Sequence, residues 1–317
     1  MPINKYMSIA MKAFASNVDV KKNYKLIRLA ERAVKRPRIR LYQTRDYYIR
    51  NEEHKVPVRI FTPARGRIES LNNIDYPVII FLHGGGWVTG DLESYERVCL
   101  AITRQTGHAL IAVDYRLAPE YPFPAALEDC YKTVRAVIRW HKMSGAKHKI
   151  TLMGDSAGGN LAAAVSLYMR DRGEQMVDRQ VLIYPATYNN HTQDSPFASV
   201  LENGTDYFLT SRHICDYMDL YCQDNESSRN SPYCAPLLAE NFENQPDTLI
   251  ITAQYDPLRD EGEEYGRKLK EAGNLAVVRR IDGTMHGYFS LSVQFAAVRK
   301  SYDIINKFLK DEIESDE

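Results

Sequence analysis

The chain has 317 residues, enough for one large core with length left over for an accessory segment. It is 44% hydrophobic and 26% charged, and its 41 basic residues balance 41 acidic ones. That zero net charge removes any whole-molecule argument for a nucleic-acid partner or an anionic substrate.

The first forty residues read as helical. Ile9, Phe14, Leu26, Leu29 and Ala33 recur at near-helical spacing, and Pro37 supplies a stop. The same stretch is basic (Lys21, Lys22, Lys25, Arg28, Arg32, Lys35, Arg36, Arg38, Arg40), opposed only by Asp19 and Glu31. Such a run can mark a membrane-surface or RNA-binding element. With no aromatic-lined binding module beside it, a solvated helix face is the expectation. Lys5 and Lys12 bracket only a short apolar stretch, and no apolar run approaches the ~18–20 residues that span a bilayer. Five cysteines, Cys99, Cys130, Cys215, Cys222 and Cys234, form an odd set without Cys-x-x-Cys. They fit reduced thiols better than a disulfide framework or a zinc site. A soluble, cytoplasmic protein without a metal is expected, with no membrane or nucleic-acid partner.

Two strand-like runs follow, Arg45 to Arg50 and Val56 to Thr62. From residue 76 onward short apolar runs alternate with helical segments. The strand candidates are Val78–Leu82, Ala109–Val113, Ile150–Met153, Val181–Tyr184, Thr248–Ala253 and Ala276–Ile281. The helical segments are 94–106, 125–142, 157–171, 260–272 and 293–310. Unbroken apolar strands separated by helices predict a mostly parallel sheet, eight strands in all, covered on both faces. Between Pro185 and Pro246 the alternation stops, and a Tyr- and Met-rich helix over 211–223 is predicted there. With the N-terminal helix, this excursion is the candidate for a cap over the sheet.

The strongest local signal is Gly154-Asp155-Ser156-Ala157-Gly158, set between the apolar run Ile150–Met153 and a small-residue helix. Strand, sharp turn and helix are what a nucleophile elbow needs, and a Cβ at either glycine would collide with its neighbours. The second signal is His83-Gly84-Gly85-Gly86-Trp87, directly after the strand Val78–Leu82. Consecutive glycines expose backbone N–H groups, which suits an oxyanion hole of Gly85, Gly86 and Ala157. Each such donor is worth on the order of 3–4 kcal/mol of barrier. A serine hydroxyl needs a base oriented by a carboxylate. His286 alone among eight histidines lies beyond the last strand candidate, and Asp256 follows the strand Thr248–Ala253. Asp260, expected to cap the next helix, and Asp282, on the same loop as His286, are the rival acids.

The His-Gly-Gly-Gly-Trp loop, Gly-Asp-Ser-Ala-Gly-Gly-Asn at 154–160, Asp-Tyr-Arg-Leu-Ala-Pro-Glu at 114–120, Asp-Pro-Leu-Arg-Asp-Glu-Gly at 256–262 and His286-Gly287 occur together. In that order they resemble the hormone-sensitive-lipase-like esterases, the family IV bacterial carboxylesterases of the α/β-hydrolase superfamily, over about residues 76–290. Within that family the chain looks most like the acetyl-esterase branch. The resemblance implies an α/β-hydrolase fold, with a helical cap from residues 1–44 and an insertion over about 187–232 on a catalytic domain of residues 45–317, a triad of Ser156, Asp256 and His286, and an oxyanion hole at Gly85, Gly86 and Ala157. It also implies no metal and no cofactor, and a homodimer is common among such proteins. The expected chemistry is two-step acyl transfer, with a rate that falls in acid as the imidazole protonates. Trp87, Tyr207 and Tyr288 are expected to wall a pocket for short acyl chains, acetyl to butyryl. A non-catalytic small-ligand receptor on the same fold and an amidase with the same triad are the alternatives.

Overall fold

The computed structural model describes residues 19–33, 44–50, 54–63 and 76–313. Nine helices and eight strands are found among them, in the order α1 (Val20–Ala33), β1 (Thr44–Arg50), β2 (Lys55–Phe61), β3 (Val78–Leu82), α2 (Glu96–Thr106), β4 (Ala109–Val113), α3 (Ala125–Ser144), β5 (Ile150–Asp155), α4 (Ala157–Asp171), β6 (Arg179–Ile183), α5 (Ala198–Asn203), α6 (Ser211–Cys222), α7 (Glu226–Arg229), β7 (Asp247–Tyr255), α8 (Arg259–Glu271), β8 (Ala276–Met285) and α9 (Ala296–Leu309). Each strand candidate in the sequence is a strand, with ends displaced by a few residues.

The strands form one sheet ordered β1-β2-β4-β3-β5-β6-β7-β8. The pairs β1–β2 and β2–β4 are antiparallel, and the five remaining pairs are parallel. Period-two alternation sends the side chains of β3 to two separate cores. Val78, Ile80 and Leu82 join the first, with residues of α3, α4 and α8; Ile79 and Phe81 join the second, with residues of α2 and α9. A strand buried on both faces has no polar side to show, hence its unbroken apolar run. Burying a side chain of this size contributes about 1.5–3 kcal/mol, so β3 alone anchors the fold through five such residues.

The excursion between β6 and β7 holds α5, α6 and α7 and no strand. Helix α1 docks on α6, and its basic face is largely committed to partners. Lys21 pairs with Asp219, Arg28 with Glu120 and Arg32 with Asp91. The expectation of a solvated basic face is corrected for Arg28, whose side chain is only 19% exposed, whereas Lys21 and Arg32 pair with acidic groups and stay exposed. Leu26 and Leu29 instead face outward, at 64% and 61% exposure. Ile9, Phe14 and Pro37, like most of the 1–44 segment, lie outside the described residues. Among the described residues no helix is long and apolar enough to cross a membrane.

Candidate active site

Ser156 follows the end of β5 and opens α4, with φ 56° and ψ −119°, a conformation that a non-glycine residue seldom adopts. Two close approaches hold it there. A Cβ on Gly158 would come within 2.0 Å of the Leu82 carbonyl oxygen, and one on Gly154 within 2.2 Å of the Gly158 carbonyl oxygen. Real atoms do not approach so closely, so the crossing of β5, α4 and the end of β3 admits only glycine at these positions. The Ser156 N–H donates to Ile183 at 2.8 Å, tying the turn to β6.

The other two groups are brought level by strand pairing. In the β7–β8 ladder Ala253 pairs with Ile281 and Tyr255 with Met285, so β8 takes in two extra residues between these points. Asp256 and His286 are the next residue on each strand, and the irregularity is what aligns them. Without it, continuing the Ala253–Ile281 register would set Asp256 beside Thr284, two residues short of His286.

His286 Nδ1 lies 2.7 Å from Asp256 Oδ2, and its Nε2 lies 2.9 Å from Ser156 Oγ. An ionised carboxylate only accepts, so Nδ1 is the protonated nitrogen and Nε2 offers its lone pair to the serine hydroxyl. Asp256 is fully buried, and its second oxygen accepts the Leu258 N–H at 2.9 Å. His286 is 7% exposed and packs on the Tyr184 ring, with centroids 4.6 Å apart. The rival acids are placed elsewhere. Asp282 is exposed on β8. Asp260 accepts the Ser199 N–H at 2.7 Å, so it satisfies the first turn of α5 and not that of its own helix α8.

The glycine loop is oriented through its carbonyls. His83 Nδ1 lies 2.8 Å from the Gly84 oxygen, and Val88 and Thr89 donate to the Gly85 oxygen at 3.0 and 2.8 Å. Across a trans peptide the N–H points opposite to the C=O. Fixing the Gly84 and Gly85 carbonyls into the loop therefore turns the Gly85 and Gly86 N–H groups to its other side. Ala157 is the first residue of α4, where the N–H has no intrahelical acceptor and the helix dipole is positive. Burial lowers the His83 pKa to about 4, so it stays neutral and donates through Nδ1. Asp155 joins the loop to the elbow: its Oδ1 accepts the Gly84 N–H at 2.9 Å and its Oδ2 the Tyr95 hydroxyl at 3.1 Å. Burial raises the Asp155 carboxyl to about 6.

The aromatic residues chosen from sequence fare differently. Trp87 is 2% exposed, stacked on Tyr221 with centroids 4.6 Å apart, and its N–H donates to Asn160 Oδ1 at 3.2 Å. Tyr288 is 4% exposed, with its hydroxyl 2.6 Å from that of Ser301. Neither ring has a face left open to solvent, and each already has a packing and hydrogen-bond partner. Tyr207 is half-buried and stacked on Tyr255. Two rings that the sequence places only within a Tyr-rich stretch expected to wall the pocket, without singling them out, lie against the site. Tyr217 of α6 sits on Gly86, where an added Cβ would be 2.3 Å from its Cγ. Phe208, 52% exposed, comes within 3.9 Å of the Cβ position at Gly287, next to His286. Both belong to the Tyr-rich 207–221 stretch, and that enrichment was the available signal. Asn160 was legible only as part of a motif. Besides the indole it binds the carbonyls of Ala186 and Cys234 at 2.7 and 2.8 Å, fastening α4 to the excursion.

This arrangement can abstract a hydroxyl proton, and the chain that carries it is similar to known proteins. A family model described as alpha/beta hydrolase fold matches residues 79–290. An arylesterase of Saccharolobus solfataricus is 35% identical over 252 residues, 78% of this chain and 77% of that protein. A carboxylesterase, NlhH, of Mycobacterium tuberculosis is 33% identical over 251 residues, 76% of this chain and 74% of that protein. The solved structure of a hyperthermophilic esterase from the archaeon Pyrobaculum calidifontis matches with a TM-score of 0.81 at 32% identity, covering 98% of this chain and 99% of that one. The chain belongs to the α/β-hydrolase family, in its hormone-sensitive-lipase-like (family IV) division. Its enzyme class is that of the carboxylic ester hydrolases.

Proposed function

We propose that the chain is a serine carboxylesterase that hydrolyses short-chain acyl esters, acetyl to butyryl, through an acyl-enzyme on Ser156. The observation that supports this most directly is the continuous hydrogen-bond chain from Asp256 through His286 to Ser156. In this reading Ser156 Oγ attacks the ester carbonyl as its proton passes to His286 Nε2. Asp256 holds the imidazole in the required tautomer and stabilises the imidazolium. The carbonyl oxygen becomes an oxyanion and meets the N–H groups of Gly85, Gly86 and Ala157. His286 then protonates the leaving alcohol, and water repeats the sequence on the acyl-enzyme.

The short-acyl preference rests on the rings over the site. Tyr217 lies against the glycine loop and Phe208 against the His286 loop, so bulky groups face aromatic walls on both sides. Helix α1 and the 187–232 excursion act together as the cap in this reading, over a catalytic domain beginning near residue 45. A cytoplasmic setting is part of the same reading, and five free thiols accord with it.

The test is turnover of p-nitrophenyl esters from acetyl to decanoyl. Rates are expected to peak at acetyl to butyryl and fall beyond. A steady rise toward decanoyl would overturn the short-acyl assignment while leaving the serine mechanism standing.

A further inference from the structure

We propose that Arg28, on helix α1, is a positioning residue for the oxyanion-stabilising loop, holding residues 85–88 in place by gripping backbone carbonyls from above. This rests on the serine-esterase reading given above. The guanidinium uses nearly its whole fork. Nε donates to the Val88 carbonyl at 2.7 Å, and Nη2 donates to the Ala118 carbonyl at 2.7 Å. Nη1 and Nη2 donate to the Glu120 carboxylate at 3.0 and 2.9 Å. The Tyr24 ring lies 5.0 Å from its Cζ, and the side chain is 19% exposed.

The two carbonyls it grips belong to segments that brace each other. Ala118 donates its N–H to the Trp87 carbonyl at 2.9 Å, and Val88 donates its N–H to Gly85 at 3.0 Å. The Val88 residue is thus held at both ends, by Gly85 at its N–H and by Arg28 at its C=O. Val88 itself is fully buried, in a stretch that belongs to no strand or helix. If its carbonyl is released, the hydrogen bond that turns the Gly85 carbonyl inward loses its brace, and with it the outward aim of the Gly86 N–H. Two neighbours on α1 act on the same loop. Glu31 Oε2 accepts the Gly90 N–H at 3.2 Å, and Arg32 Nε donates to Asp91 Oδ2 at 2.8 Å. A helix read from sequence as a solvated basic face is therefore joined to the loop on which the developing negative charge would rest.

A lysine can keep the ion pair with Glu120 but cannot reach three acceptors in one plane. The experiment compares R28K, R28M and E120Q in the full chain with p-nitrophenyl acetate, and measures binding of a trifluoromethyl ketone, whose adduct with Ser156 carries an oxyanion. R28K and R28M are expected to lower kcat about tenfold or more with KM changed less than about threefold, since a lost oxyanion donor costs about 10²–10³ in kcat and a displaced one part of that. Ketone affinity should fall by the same factor as kcat/KM, while E120Q, which leaves the carbonyl contacts in place, should stay within about twofold of the parent. If R28M does not fold, R28K carries the comparison.

A purely structural role would lower the folded fraction and leave kcat per folded site and ketone affinity at parental values, and that result overturns the proposal. So does E120Q falling as far as R28K, which would put the effect in the ion pair. S156A run alongside separates this from the underlying reading: if it kept turnover and ketone binding, the serine mechanism itself would fail, whatever Arg28 does.

Discussion

The site is built from two regions held in different ways. Ser156, Asp256 and His286 each follow directly on a strand of the sheet, β5, β7 and β8, and their spacing is set by ladder register and by the extra residues in β8. The facing region, α1 with α5 to α7, shares no strand with the sheet. It is fastened by burial, with Ile214, Met218 and Tyr221 of α6 in the first core, and by polar ties between side chains and single backbone groups: Arg28 to Val88 and Ala118, Asn160 to Ala186 and Cys234, Asp260 to Ser199. A ladder distributes its strain over many bonds and over two buried cores. Each polar tie of the facing region is a single contact, so one substitution can release it.

The largest effect is expected on the sheet side. Asp256→Asn leaves the shape of the triad but lets His286 adopt the wrong tautomer, so kcat should drop about 10⁴-fold with little change in thermal midpoint. Active-site titration with a fluorophosphonate, beside circular dichroism, checks both parts. A loss under tenfold would show that another carboxylate orients the imidazole.

A smaller effect concerns what the sheet side costs to bury. His83 is lowered to about 4 by burial, so the folded chain resists a proton that the unfolded chain accepts near 6.5, and stability falls as pH drops through that window. Asp155 works with the opposite sign. Raised to about 6 by burial, its carboxyl takes a proton in the fold before it would unfolded, so the penalty present above 6 is relieved on acidification toward 4. The two partly cancel between pH 7 and pH 5. Asp155→Asn removes the relieving group and should steepen the loss of stability over that interval by about 1 kcal/mol, read from urea midpoints. An unchanged slope would mean that Asp155 is not buried as a charge.

The smallest effect is expected on the helical side. Phe208 is half exposed and lies beside Gly287, the residue after His286. Phe208→Ala should leave thermal stability and acetyl-ester kcat within about twofold, and raise kcat/KM for hexanoyl relative to acetyl esters about 10-fold, the order a hydrophobic contact of one or a few methylenes provides. If the stability fell instead, the two regions would be less separable than their fastening indicates.

Much of the sheet side was legible in the linear chain because its constraints are local. Gly154 and Gly158 flank Ser156, and each of the three groups follows an apolar run that only a buried strand explains. What was not legible involved direction. Trp87 and Tyr288 adjoin the glycine loop and the His286 loop, yet adjacency does not say which way a ring points, and both turn into the core. The end of β8 was expected at Ile281, since Asp282 and Gly283 look like a loop; pairing with β7 carries the strand to Met285. Arg28 looked like any cation on a basic face, because its acceptors are some 60 to 90 residues away in sequence.

The order of the elements, the identity of Ser156, Asp256 and His286, and the glycine loop follow from the sequence alone, because steric and periodic rules act between near neighbours. Only the tertiary structure decided that Asp256 and His286 stand level, that Trp87 supports the loop from within, and that a basic N-terminal helix grips that loop. Those facts depend on strand register and on contacts between distant segments, and a hydrogen bond's partner is chosen by where the packed chain brings an acceptor.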